Sequence, residues 1–416
     1  MDRGSPQRHT RIRHQAWAIL FLGGGIVTAY QAAAEERDFG ADAKFLSRHV
    51  ETIILGDSPD GPRVAIVPAY QGRVMTSSAT GDTGTSYGWI NYELIESGKR
   101  VPQIHVFGGE ERFWLGPEGG QFSIFFDGGS KFDFAEWRTP AVLDTEAFAV
   151  VSSSAKKVSF RHEARLKNYA GTLFHFRIER VVQLLSGDAI RRALDLGSAP
   201  LRAVAYRTTN RLTNIGKKDW SKQTGLLSIW MLGMYKHGPN TTVVIPFKVG
   251  AEAQLGPVVN DDYFGKVPAE RLRAFDGVLF FAADGQYRSK IGLSPHRSTP
   301  LCGSYDAARG VLTIVQYNQP AAEVTDYVNS KWELQEQPFS GDVINAYNDG
   351  PAEPGAEPLG PFYELETSSP ALPLASGQTG EHIQTTFHFE GGAESLDSLA
   401  REVLGVSLEQ IESALK

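Results

Sequence analysis

Apolar and polar positions alternate with a period of two along much of this chain. Between residues 157 and 167, Val158, Phe160, His162, Ala164 and Leu166 fall on one side, and Ser159, Arg161, Glu163, Arg165 and Lys167 on the other. A strand with one face in a core and one in water gives this pattern, which marks antiparallel sheets. Further strands are expected at residues 50–55, 64–67, 71–75, 122–126, 148–152, 172–184, 191–196, 242–249, 277–283, 311–317, 361–366 and 382–389. Turn clusters such as Asp57-Ser-Pro-Asp-Gly-Pro62 separate them, and helical periodicity is scarce in between. Such a run of strands predicts an all-β fold, a large antiparallel sandwich, rather than βαβ units. Helices are expected only near the ends. Residues 38–49 suit a short one, residues 395–404 another that stops at Gly405, and Ser407-Leu-Glu-Gln410 is a capping box opening a last one. This tail reads as a docked helical pair or as an arm for a partner.

Composition agrees with a folded, turn-rich chain: 43 glycines and 22 prolines accompany 41% hydrophobic residues. At the N-terminus Arg3, Arg8, Arg11 and Arg13 precede an apolar run at residues 16–22, and Ala32-Ala-Ala34 before Glu35 fits an A-x-A cleavage site. Gly23-Gly-Gly25 interrupts the run, which falls short of the roughly 18 apolar residues of a membrane anchor. The expected organisation is a cleaved signal peptide over residues 1–34, one β-sandwich over 35–390 and a helical tail over 391–416. The mature protein would be periplasmic or secreted, with no stable membrane anchor after cleavage. Its formal charge moves from −7 to −10, because four arginines and one aspartate leave. An acidic chain argues against nucleic acid and anionic membranes as partners. A single cysteine, Cys302, excludes an internal disulfide and thiolate metal clusters. The oligomeric state is left open.

Chemistry concentrates in two segments. The first, residues 107–126 (FGGEERFWLGPEGGQFSIFF), sets Glu110, Glu111, Arg112, Glu118 and Gln121 beside Trp114, among glycines that allow close backbone approach. Sugars are bound with such groups, although a tight turn with glutamate–arginine pairs has the same composition. The second, residues 332–366, ends in a strand where Glu364 and Glu366 point to one face while Tyr363 and Leu365 point to the other. Paired carboxylates suit general acid and base work, because one holds its proton to higher pH; a solvated strand face shows the same alternation. Lys290 and Arg288, near His296, could recognise an acidic or phosphorylated sugar or form a surface cluster. Asn345, Asn348 and Asp349 could hold sugar hydroxyls, or a calcium ion through oxygen ligands, although no specific metal motif is present. Gly84-Thr-Ser-Tyr-Gly88 matches the hydrolase nucleophile elbow in form only, because no hydrophobic strand enters it and no long helix leaves.

Gly72-Arg-Val-Met-Thr-Ser77, Gly88-Trp-Ile-Asn-Tyr-Glu93, residues 107–121, Gly341-Asp-Val-Ile-Asn345, Tyr347-Asn-Asp-Gly350 and residues 362–370 together resemble a bacterial family of secreted, largely uncharacterised proteins. That family lies within the galactose mutarotase-like (aldose 1-epimerase-like) superfamily. The resemblance covers nearly the whole mature chain and implies a β-supersandwich whose broad concave sheet binds a sugar. In aldose mutarotases a glutamate on a strand reading roughly Leu-Glu-Thr takes the anomeric hydroxyl proton, and a mid-chain histidine protonates the ring oxygen. Leu365-Glu-Thr367 matches the first element, so the resemblance implies Glu366 as base, with Glu364 as its rival. Trp230 stands where the histidine is expected, and the usual Asn-Arg pair is not evident near Arg73. His105, Glu110 or Glu118 would then have to serve as acid. Arg73, Glu111, Arg112, Gln121, Lys290 and the Asn345–Asp349 group are candidate hydroxyl ligands, with Trp114 or Trp230 stacking on the sugar. The function expected is a carbohydrate-active protein of aldose epimerase-like type, needing no cofactor. The alternatives are a non-catalytic glycan-binding module and a glycoside hydrolase or lyase, the last requiring two carboxylates across the scissile bond.

Overall fold

The computed structural model describes residues 37–200, 202–351 and 355–416; the expected signal peptide lies outside the described residues. In chain order the strands are β1 Ile53–Leu55, β2 Arg63–Val67, β3 Arg73–Ser78, β4 Arg112–Gly116, β5 Ala149–Ser153, β6 Lys157–Lys167, β7 Leu173–Leu184, β8 Arg202–Asn214, β9 Ser228–Lys236 and β10 Thr241–Pro246. They continue as β11 Leu272–Phe275, β12 Val278–Ala282, β13 Ser289–Leu293, β14 Leu301–Asp306, β15 Val311–Tyr317, β16 Ile344–Asn348, β17 Phe362–Ser368 and β18 Thr379–Glu390. The α-helices are α1 Phe39–His49, α2 Tyr92–Ser97, α3 Ala141–Asp144, α4 Gly187–Leu194, α5 Glu252–Leu255, α6 Ala393–Leu399 and α7 Leu408–Ser413.

Two antiparallel sheets make the sandwich. One has ten strands in the order β11-β12-β10-β14-β15-β18-β8-β7-β6-β5, the other five in the order β13-β16-β17-β9-β4, and β1-β2-β3 form a small third sheet. Alternation decides what each strand offers to the space between the large sheets. On β17 Leu365 is fully buried, Tyr363 meets Ser304 of β14 at 2.7 Å, and Thr367 meets His382 of β18 at 2.8 Å. Glu364 and Glu366 therefore stand on the other face of the five-stranded sheet, turned away from the ten-stranded one.

The interface between the sheets is not wholly apolar. Arg180 of β7 and Glu111 pair at 2.8 Å with no exposure of either side chain, Gln384 bonds Glu111 at 2.9 Å, and Arg180 also reaches Asn210 at 2.6 Å. Glu110 accepts from the Ser77 amide and hydroxyl and meets His388 Nε2 at 3.1 Å. Burial pushes the Glu111 carboxyl up, and the Arg180 guanidinium opposes it. Burial also pulls His382 down to about 3, so it is neutral at any physiological pH.

Helices cap the outer face of the ten-stranded sheet. Leu396, Ala400, Leu404, Leu408 and Ile411 of the tail pack with Ile190 and Leu194 of α4 against Leu312, Ile314, Phe387 and Phe389. A π-helical turn, Ala400–Leu404, joins α6 to the residues before α7, whose capping box forms as expected: the Ser407 hydroxyl accepts from Gln410 N, and the Gln410 side chain accepts from Ser407 N.

Two expected strands are corrected. Residues 191–196 belong instead to α4 and its C-cap, because Ser186 caps that helix and Ile190 and Leu194 sit one turn apart on its buried face. Residues 122–126 form no strand. Their rings turn into aromatic contacts of a loop, Phe122 on Phe339, Phe125 on Trp137 and Phe126 on Trp332, and the strand of that region is β4.

Candidate functional site

The outer face of the five-stranded sheet gathers charge. Cross-strand register aligns Gly292, Asn345, Glu366, Leu232 and Arg112 in one row, and Lys290, Tyr347, Glu364 and Met234 in the next. Directly opposed residues in a ladder share a face, so these side chains stand together. The Lys290 ammonium donates to both oxygens of Glu366, each at 2.9 Å, and the Trp230 indole donates to Glu366 Oε2 at 2.9 Å. Arg112 donates to Glu364 Oε1 at 3.2 Å. Trp230 and Tyr263 flank the ammonium, with ring centroids 5.1 and 5.6 Å from Nζ.

Glu366 is fully buried and Lys290 is 14% exposed. Glu364 and Glu366, two apart on β17, stand side by side on this face. Burial, reinforced by the Glu366 charge and opposed by Arg112 and Lys290, pushes Glu364 up to about 8. For Lys290, burial pulls the ammonium down but the Glu366 carboxylate outweighs it, leaving the group above its usual range.

Two loops build a wall over this face. Glu118, just beyond β4, bonds through its amide to the Ser330 hydroxyl at 3.1 Å and through its side chain to Trp332. Gln121 and Gln335 exchange two hydrogen bonds, 2.8 and 3.0 Å, that fasten the loops to each other. Burial pushes the Glu118 carboxyl up to about 7, with Lys290 opposing and Glu366 adding to the shift. On the far side Tyr263 donates to Asp342 at 2.5 Å and accepts from Asn345 at 3.0 Å, while Asn260 reaches Asp342 at 3.1 Å. Gly292 makes room for this trio: a Cβ there would lie 2.2 Å from Asp342 Oδ2 and 2.6 Å from Asn345 Nδ2.

Of the residues singled out from the sequence, the fold brings Glu364, Glu366, Glu118, Arg112, Lys290, Trp230 and Asn345 together. Others go elsewhere. Glu110 and Glu111 lie between the two sheets, on the opposite side of the five-stranded sheet from Glu366. In His105, Nδ1 donates to Asp144 at 2.7 Å and Nε2 accepts from Val101 N at 2.9 Å, so both ring nitrogens are engaged. Arg73 is buried against Gly108 O and Gln71, and burial together with neighbouring Arg112 pulls it down to about 9. Trp114, 4% exposed, is covered by Arg112 on its face and Trp230 at its edge, and its indole donates to Leu143 O. Gln121 is committed to the loop staple. Asn345 and Asn348 leave β16 on opposite faces, and Asp349 holds the Tyr347 hydroxyl and the Gly360 amide. Among the described residues no group of three or more His, Cys, Asp or Glu is arranged to hold a metal ion.

Tyr263, Asp342 and Trp332 were not singled out from the sequence. Asp342 does stand within the quoted Gly341–Asn345 motif, and Trp332 begins the second chemical segment, whereas nothing in the pattern marked Tyr263. A surface recess of about 520 Å³ lies elsewhere, between α3 and the β6–β7 hairpin, lined by Glu146, Glu163, Arg165 and His175.

Residues 37–415 match the Family of unknown function (DUF6786). Comparison with curated proteins finds no match. Among solved structures the chain is similar to the Slr1438 protein of Synechocystis sp. PCC 6803, with a TM-score of 0.50 and 13% identity over 82% of this chain and 96% of that one. It is also similar to a candidate aldose 1-epimerase of Escherichia coli K12, with a TM-score of 0.48 and 13% identity over 81% and 99% of the two chains. A galactose mutarotase-like protein of Lactobacillus casei ATCC 334 gives a TM-score of 0.46 and 11% identity over 81% and 100%. At these identities the likeness bears on the fold alone.

Proposed function

This chain belongs to the Family of unknown function (DUF6786), and we propose that it is a carbohydrate-active protein whose site on the five-stranded sheet catalyses anomeric epimerisation by general acid and base. One observation carries the reading: the Glu364–Glu366 pair shares a face with Glu118, and a lysine is clamped on Glu366. Burial holds two of the three carboxyls near neutrality, the range in which one group can release and another accept a proton at working pH. The Leu365-Glu-Thr367 motif supports the same assignment.

In this reading Glu366 takes the proton of the anomeric hydroxyl as the bond from C1 to the ring oxygen breaks. The ring oxygen takes a proton from Glu118, and the open aldehyde recloses on either face with both protons returned. Glu118 replaces the mid-chain histidine, since Glu110 and His105 are engaged elsewhere. Saturation-exchange NMR on fresh aldoses tests it. Exchange between anomers is expected to exceed that in buffer, and Glu366→Gln and Glu118→Gln each to lower it by about 10²-fold or more. Exchange at the buffer rate in the wild type sinks it.

A second reading, a glycan-binding module without catalysis, is favoured by one feature: Glu366 has no exposure and both its oxygens are occupied. Glycan binding that survives Glu366→Gln, with no anomer exchange in the wild type, would decide for it.

A further inference from the structure

The β6–β7 hairpin runs past the edge of its sheet. β5 pairs with β6 only as far as Arg161, so among the described residues 162–167 of β6 are bonded to β7 on one side and to no strand on the other. The recess of about 520 Å³ lies along this open edge, which is why both faces of β6 line it, with Ala164 and Leu166 from one and Glu163 and Arg165 from the other. Ala141 and Val142 of α3 add to the apolar lining. The volume falls in the range of roughly 300–1,000 Å³ that small-molecule sites occupy.

Charge pairing along the hairpin stops at this recess. On the outer face Arg161 donates to Glu179 at 2.9 Å, and in the next row Arg177 donates to Glu163 at 2.8 Å. The two rows that follow break the pattern: Arg165 stands opposite His175, and Lys167 opposite Leu173, which is 63% exposed. Among the described residues the side chains of Arg165, Lys167 and His175 have neither a hydrogen bond nor an ion pair. Both carboxylates of the recess are engaged, Glu163 by Arg177 and Glu146 by His162 at 2.7 Å. The groups left free are therefore basic, on a chain whose formal charge is −7. An anion there gains charge-assisted hydrogen bonds from a guanidinium with all its donors available, and the apolar lining favours a ring over a bare ion.

We propose that this recess is a second ligand site, separate from the charged face of the five-stranded sheet, and that it binds an acidic saccharide. The sugar ring lies on Ala164, Leu166 and Val142, and its anionic group meets Arg165 and His175, with Lys167 beside them. Only the expectation of a sugar comes from the reading above; the recess and its free cations stand without it.

NMR titration of the full chain, following the ring protons of His175, tests this. The probes are trigalacturonate, a sulfated heparin disaccharide and glucose 6-phosphate, with maltotriose as the neutral sugar and acetate, sulfate and phosphate as bare anions. At least one acidic saccharide is expected to shift the His175 signals and to bind tenfold or more tightly than maltotriose and than its own bare anion, about 1.4 kcal/mol. The one that binds most tightly names the acid as carboxylate, sulfate or phosphate. Arg165→Ala, at an exposed position, is expected to bring the ratio to maltotriose below threefold. Maltotriose binding as well as the acids overturns the acidic class, and bare anions binding as well overturn the saccharide. A ratio that persists in Arg165→Ala, or binding that leaves His175 unshifted, overturns the recess as the site. Anomer exchange at the buffer rate with binding at His175 intact sinks the epimerase reading and leaves this site standing. Exchange above the buffer rate with no acidic saccharide bound at His175 overturns this site alone.

Discussion

Glu118 shows how one residue's burial sets a pH response. Its carboxyl rises from the ordinary 4.5 to about 7 because burial penalises the charged form. Between those values the folded protein holds a proton that the unfolded chain has released. The resulting stability is fully present below about pH 4.5 and is lost as pH rises through 7. Glu364 acts in the same direction, up to about 8. Replacing Glu118 by Gln removes its share, so the variant should match the wild type near pH 4.5 and exceed it at pH 8, by on the order of 2 kcal/mol. Thermal unfolding at the two pH values checks this; an equal gap at both sinks it. The carboxylate pair itself was legible from the alternation of Glu364 and Glu366 along one strand. That Glu118, and not Glu110 eight positions earlier, joins them was not, because a glycine-rich segment carries no periodicity from which to read direction.

At the scale of elements, the candidate site depends on how closely Gly292 of β13 approaches Asn345 of β16 and Asp342 just before that strand, which Tyr263 joins by its hydroxyl. Gly292→Ala would drive a methyl group into Asp342 Oδ2 and Asn345 Nδ2. Overpacking of this kind costs roughly 1–3 kcal/mol. A lower urea midpoint with a weakened site is expected, and a variant as stable as the wild type would show that Asp342 moves freely. The two misread segments have physical causes. In residues 122–126 the apolar run serves an aromatic cluster, where rings and not backbone ladders are satisfied. In residues 191–196 a helical i, i+4 pair, Ile190 and Leu194, straddles the segment boundary and escapes a period-two reading.

At the scale of the whole molecule the tail is part of the core. Ending the chain at Gly391 would uncover Leu312, Ile314, Phe387 and Phe389 on the ten-stranded sheet. Truncated protein is expected to unfold at lower temperature and to bind a hydrophobic dye that the full chain excludes; unchanged melting would mean that the helices only rest on the surface. The sequence by itself determined the all-β antiparallel class, the capped C-terminal helices and the placing of Glu364 and Glu366 on one face. Each of these is written in local periodicity or in a cap of four residues. Only the tertiary structure decided which sheet carries the site, that Glu110 and Glu111 lie inside the sandwich while Glu118 lies over the outer face, and that Lys290 clamps Glu366. Those outcomes depend on register between strands far apart in the chain and on the desolvation of charges that meet only after folding, and neither quantity has a local signature.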